Sequence, residues 1–317
     1  MSRPLQTLLD GLIDYAGLFP PAKLDMAPAL EEFARQRMSG EAYALARFVC
    51  PASRLKELSD KGAALMPGTF ATSGYREMAD HSEPWGISAL LPGDLEGVER
   101  GLDTIDAFNE HHSAEGAGLA RVDMIELPAT EPGFIDDALD LIPSDIMPFF
   151  EIDWRGDCRG SVAALAGNDA AAKIRCGGVT EDLIPPSEAV AAFINACRAG
   201  DVPFKATAGL HHPVRAEHAL TYEPDAPRGV MHGFLNVFIG AALLKARAIE
   251  PDRLVDVLEE TDASAFTFDR EGAGWRDARV DLIGLASARE RFCLSYGSCS
   301  FSEPMRDLRE LGLLAAR

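Results

Sequence analysis

Short apolar runs alternate with stretches of helical length along this chain, eight times over, with no Ser/Gly-rich linker between them. That alternation constrains the fold more than any single residue does. Strands separated by helical crossovers pair in parallel, so both faces of the sheet must be covered. The runs predict strands over residues 13–18, 44–50, 86–91, 122–127, 148–154, 171–176, 203–207 and 265–269. Helices are expected over 28–38, 53–61, 94–109, 133–141, 159–166, 187–199, 233–248 and 282–288. Asp94 and Ser187 stand where helix caps belong. Val190, Phe193, Ile194 and Cys197 recur at helical spacing and predict one buried face.

Eight strand and helix pairs are the count of a closed (β/α)8 TIM barrel, an α/β fold. A doubly wound open sheet is the competing architecture. No Gly-x-Gly-x-x-Gly follows the first strand and no phosphate-binding P-loop is present, which disfavours nucleotide-binding versions of it. The expected organisation is a single domain, with the barrel over 1–290 and a C-terminal extension over 291–317. That extension reads as a loop ending in a short helix, packed on the barrel or folded over its mouth.

The chain has 317 residues, enough for one such barrel, and 47% of them are hydrophobic, enough for its core. Fifty acidic against thirty basic residues give a net charge of -20, a field that repels nucleic acid and anionic membranes. Neither is expected as a partner. An anionic substrate would have to meet locally concentrated basic groups. The first residues lack a signal-peptide pattern, and no apolar stretch is long enough to span a bilayer. Six scattered cysteines without a CxxC pair favour reduced thiols, and so a cytoplasmic location. A homo-oligomer is the expected assembly.

Chemistry in such a barrel gathers at the C-terminal ends of the strands. Side chains alternate along a strand, so Lys173 and Arg175 share a face, as do Lys205 and Thr207. Gly209 opens the next turn, and His211 and His212 follow at once. A lysine between Phe204 and Ala206 is hard to place on a surface covered by helices, so it is expected inside the barrel. Glu151 and Asp153 share a face of the fifth strand, and Glu126, Arg47 and Asp14 come from the fourth, second and first. Such a charge set is costly to bury unless it pairs or meets a ligand.

The leading expectation is an enzyme acting on a small anionic carbonyl compound, aldolase- or lyase-like, with Lys173 or Lys205 as the covalent or acid-base amine. Nearby cations would lower the pKa of that lysine, and Glu151 or Asp153 would oppose the shift. These carboxylates and His211 would move protons. Arg175 and Arg47 would hold the anion, with Glu126, Thr207 and Gly209 lining the pocket, and Gly272 and Gly274 would offer backbone amides to a phosphate after the eighth strand.

No cofactor is expected on this reading. The alternative is a divalent metal ion on His211, His212 and Glu151, serving a metal-dependent lyase, isomerase or hydrolase. A non-catalytic ligand-binding barrel is a third possibility. His232 is a further candidate for the mouth, and Cys176 beside Arg175 for a reactive thiol. The arrangement resembles, in architecture alone, (β/α)8 enzymes of the Schiff-base aldolase and phosphate-binding kind. Segments 173–178 and 204–213 match no specific motif, so no residue role is carried over from that likeness.

Overall fold

The computed structural model describes residues 1–69, 83–114 and 116–315. In chain order the strands are β1 (Ile13–Tyr15), β2 (Leu45–Pro51), β3 (Trp85–Leu90), β4 (Ala120–Pro128), β5 (Met147–Ile152), β6 (Ala171–Arg175) and β7 (Phe204–Thr207). There follow β8 (Ala216–Ala219), β9 (Arg228–Met231), β10 (Phe266–Phe268), β11 (Gly272–Trp275), β12 (Ala278–Asp281) and β13 (Cys293–Ser298). The described helices, numbered along the chain, are α1 (Arg3–Leu9), α2 (Met26–Arg37), α3 (Leu55–Gly62), α4 (Leu95–Ser113), α5 (Pro132–Leu141) and α6 (Arg159–Leu165). They continue with α7 (Ser187–Gly200), α8 (Phe234–Lys245), α9 (Leu254–Leu258), α10 (Leu282–Arg291) and α11 (Ser302–Glu310).

Strands β1 to β7 run round a closed parallel barrel in sequence order, and β13 closes it between β7 and β1. The chain is therefore a (β/α)8 barrel. Seven of the expected strands are barrel strands. The eighth is not where the sequence places it: residues 266–268 form β10, the edge of a three-stranded antiparallel sheet with β11 and β12 outside the barrel. The boundary expected at 290 falls just before the closing strand, and residues 293–310 supply β13 and α11, the eighth strand and helix unit. Structure beyond the eight units includes the β8 and β9 hairpin after β7 and an insertion between units seven and eight, made of α9, the small sheet and α10.

That insertion explains α8. Its sequence FLNVFIGAALLK is buried on every side up to Leu244, not along one stripe, because α9, α10 and β11 cover the face that a barrel helix ordinarily turns to water. Elsewhere the amphipathic reading holds, and Val190, Phe193, Ile194 and Cys197 are the buried positions expected on α7. Asp94 caps α4 by accepting from the Gly97 amide at 2.8 Å. Ser187, expected as a cap, is instead the first residue of α7, and its buried hydroxyl has no partner among the described residues.

Apolar packing fills two compartments. A continuous core lies between the barrel wall and the helices, while Met124, Phe149 and Ala171 form a separate cluster inside the barrel with Met147 and Leu294 against it. The inner cluster is a floor. The next inward-facing residues toward the mouth are Glu126, Glu151 and Lys173, so the polar site rests on an apolar plug. No helix of the described residues is long and apolar enough to cross a membrane.

Candidate active site

A cavity of about 330 Å³ opens at the C-terminal end of the barrel. Glu126, Glu151, Lys173, Arg175, Thr207, Gly209, His211 and His212 line it, which brings together most of the residues singled out from the sequence. The β8 and β9 hairpin, inserted after β7, covers one side through Leu220, Tyr222 and Met231. Phe19, Pro20 and Pro21 wall another, with a cis peptide bond between the two prolines.

From the barrel interior out to the cavity, acids and bases alternate along one chain of contacts. Asp14 Oδ2 accepts from Lys205 Nζ at 2.6 Å, and Lys205 Nζ also donates to Glu126 Oε1 at 2.6 Å. Glu126 Oε2 lies 2.6 Å from Lys173 Nζ, which reaches Glu151 Oε2 at 2.7 Å. Glu151 Oε1 then accepts from Arg175 Nε at 3.2 Å. Ser295 donates to Asp14 and Ser88 to Glu126, each at 2.7 Å. Every buried carboxylate thus has at least two partners, the condition under which buried charge is tolerated.

Exposure rises along that chain. The Lys205 side chain is 0% exposed and lies outside the cavity lining, Lys173 is 5% exposed and lines it, and Arg175 is 42% exposed. The two Nη groups of Arg175 have no partner among the described residues. Burial works against the charge on Lys173, but Glu126 and Glu151 outweigh it and raise its pKa above the ordinary value. This differs from the lowered lysine expected from nearby cations: two carboxylates stand closer than any cation does. Burial is likewise outweighed at Glu126 and Glu151, whose carboxyls are held below the ordinary range by the cations beside them.

Past the C-terminal ends of β7 and β13 stands a second cluster. His211 Nδ1 is 2.9 Å from Glu303 Oε2, and its Nε2 is 3.7 Å from Cys299 Sγ. Tyr222 donates its hydroxyl to Glu303 Oε2 at 2.9 Å and lies 3.7 Å from the same sulfur. Burial disfavours charge on His211, but hydrogen bonds with Cys299 and Glu303 prevail and raise its pKa to about 10. These partners favour a proton on the ring. His212 pairs with Asp307 at 2.5 Å and stacks on His218.

Other expected residues lie elsewhere. Asp153 falls after β5 ends, where the alternation stops. It is 67% exposed, beside Arg155, and does not line the cavity. Arg47 sits one pleat before Val49, the β2 residue that lines the cavity, and makes two 2.7 Å bonds to Asp123. Gly272 and Gly274 belong to β11 in the insertion, where a Cβ would meet Val280 O or Ala278 O at 2.0 and 2.7 Å. Close strand packing, not phosphate, explains both glycines. His232 is fully buried against Pro185 O, and Cys176 is buried off the cavity with its thiol pushed up to about 12 by burial. Among the described residues no three His, Cys, Asp or Glu side chains are placed to share a metal ion, and His211 and His212 are each committed to a carboxylate of α11.

Tyr222, Cys299 and Glu303 were not anticipated. The missed signal was β13: had residues 293–298 been read as a strand, Cys299 and Glu303 would have stood just past its C-terminal end, where barrel chemistry gathers. No protein-family model matches this chain, and a comparison with curated proteins finds no match.

Proposed function

We propose that this protein is an aldolase-like lyase acting on a small anionic oxo compound through Lys173. The observation that carries the reading is the position of the Lys173 ammonium: at the wall of the cavity, between two carboxylates and two residues along β6 from a guanidinium with free donors among the described residues. A cavity of about 330 Å³ suits a small substrate. The Arg175 fork suits a planar carboxylate.

The resting lysine is charged, so it must lose a proton before it attacks. Glu151 is the acceptor at 2.7 Å. A substrate carboxylate that takes Arg175 draws that cation away from Glu151 and makes Glu151 more basic toward Lys173. The free amine adds to the carbonyl carbon, and protons returned from Glu151 let the oxygen leave as water, which gives an iminium on Lys173. As Glu151 takes the proton of the substrate's carbinol, the carbon–carbon bond breaks, its electron pair moves into the iminium to give an enamine, and the carbinol carbon leaves as an aldehyde. Protonation of the resulting enamine and hydrolysis restore the lysine. Lys205, bonded to Glu126, keeps that carboxylate charged and fixed beside Lys173.

Borohydride reduction in the presence of a panel of small 2-oxo acids tests this. The expected product is a stable mass increase on the peptide carrying Lys173 and none on that carrying Lys205. Binding of the same acids without any reducible adduct would leave a ligand-binding barrel and reject the lyase.

A further inference from the structure

The Lys173 chemistry leaves the cluster that follows β7 and β13 unused. Cys299 Sγ, the His211 ring and the Glu303 carboxylate stand in line, sulfur to Nε2 at 3.7 Å and Nδ1 to Oε2 at 2.9 Å, and all three residues line the cavity. A nucleophile within reach of an imidazole, itself oriented by a carboxylate, is the geometry by which weak nucleophiles are activated. All six cysteines are buried, but only Cys299, 5% exposed, lines the cavity. Glu303 favours a proton on the ring, so a proton leaving the sulfur has a place to stay.

We propose that Cys299 is a second nucleophile of this cavity, activated through His211 with Glu303 as a positioning residue, and that it captures an aldehyde as a hemithioacetal. The sulfur–carbon bond forms as the carbonyl π pair moves onto oxygen, and the proton that left sulfur passes from His211 to that oxygen. Nothing is oxidised or reduced, and reversal releases the aldehyde. The choice of aldehyde rests on the lyase reading, since cleavage of a carbon–carbon bond next to a carbinol leaves such a fragment in the same cavity. The nucleophilic character of the sulfur does not depend on it.

Two measurements test the two halves. With iodoacetamide and peptide mass spectrometry on the folded protein, Cys299 should alkylate at least about tenfold faster than the other five thiols, and His211→Asn should remove most of that advantage. Glu303→Gln should slow Cys299 about fivefold while Cys50, Cys176, Cys197 and Cys293, which are fully buried and report opening of the fold, keep their rates. A Cys299 no faster than the rest in the unaltered protein overturns the nucleophile, whatever the variants do. With ¹³C-labelled glycolaldehyde, a hemithioacetal carbon resonance should appear and vanish in Cys299→Ser; its absence in the unaltered protein overturns aldehyde capture. Neither readout involves Lys173, so both can succeed where borohydride trapping fails.

Discussion

Lys173 and Lys205 are register partners on the adjacent strands β6 and β7, yet only Lys173 reaches the cavity. Lys205 turns toward the barrel floor, where its ammonium lies 3.6 Å from Met124 Sδ and 5.4 Å from the centre of the Phe149 ring, and is fixed there by Asp14 and Glu126. Lys173 turns toward the mouth. Identical side chains at the same level therefore divide into a sealed cation and an accessible one.

Their replacement by methionine should separate these roles. Lys205→Met leaves Asp14 and Glu126 short of a buried partner and should lower stability by about 3–5 kcal/mol in urea unfolding. Lys173→Met should cost less, because Glu151 keeps Arg175 and Glu126 keeps Lys205 and Ser88. Equal losses would contradict the division.

Arg175→Gln should weaken binding of a small 2-oxo acid by roughly 10- to 100-fold, the equivalent of about 1.5–3 kcal/mol for charge-assisted bonds. Calorimetry at two salt concentrations checks it. The unaltered protein should show the steeper salt dependence.

Gly297 faces Thr207 across β13 and β7, and a Cβ there would lie 2.9 Å from Thr207 Oγ1. Gly297→Ala should destabilise by about 1–3 kcal/mol through overpacking. Thr207→Ala in that background removes the obstructing oxygen and should restore part of the loss. Additive effects in a double-mutant cycle would count against this pairing.

His232 is buried, and burial lowers its pKa to about 4 despite the bond to Pro185 O. A histidine unfolded near its ordinary value, about 6.5, takes up a proton before the folded form does. Its contribution is therefore complete above that value and is lost as pH falls toward 4, on the order of 3 kcal/mol. Urea unfolding between pH 7 and pH 4.5 should be less pH-dependent in His232→Asn than in the parent. An unchanged slope would remove His232 from the acid response.

Periodicity marked seven of the barrel's strands, because inward and outward alternation and helical stripes are local patterns that survive without neighbours, but the count of eight that pointed to a closed barrel included residues 265–269, which lie outside it. It also marked Lys173, Arg175, Lys205, Glu126 and Glu151 as inward charges, since a cation in a strand covered on its outer face has nowhere else to go. The eighth strand was illegible. Its Ser, Gly and Tyr read as a loop, and they fit a strand only because Ser295 meets Asp14, Gly297 clears Thr207, and Tyr296 stacks on Phe234 from α8. Tertiary structure alone decided which lysine is accessible, that Asp153 and Arg47 stand apart from the cavity, and that Cys299, His211 and Glu303 meet. Each of those outcomes depends on a partner far away in sequence, and closure of the barrel by β13 is what brings the partners together.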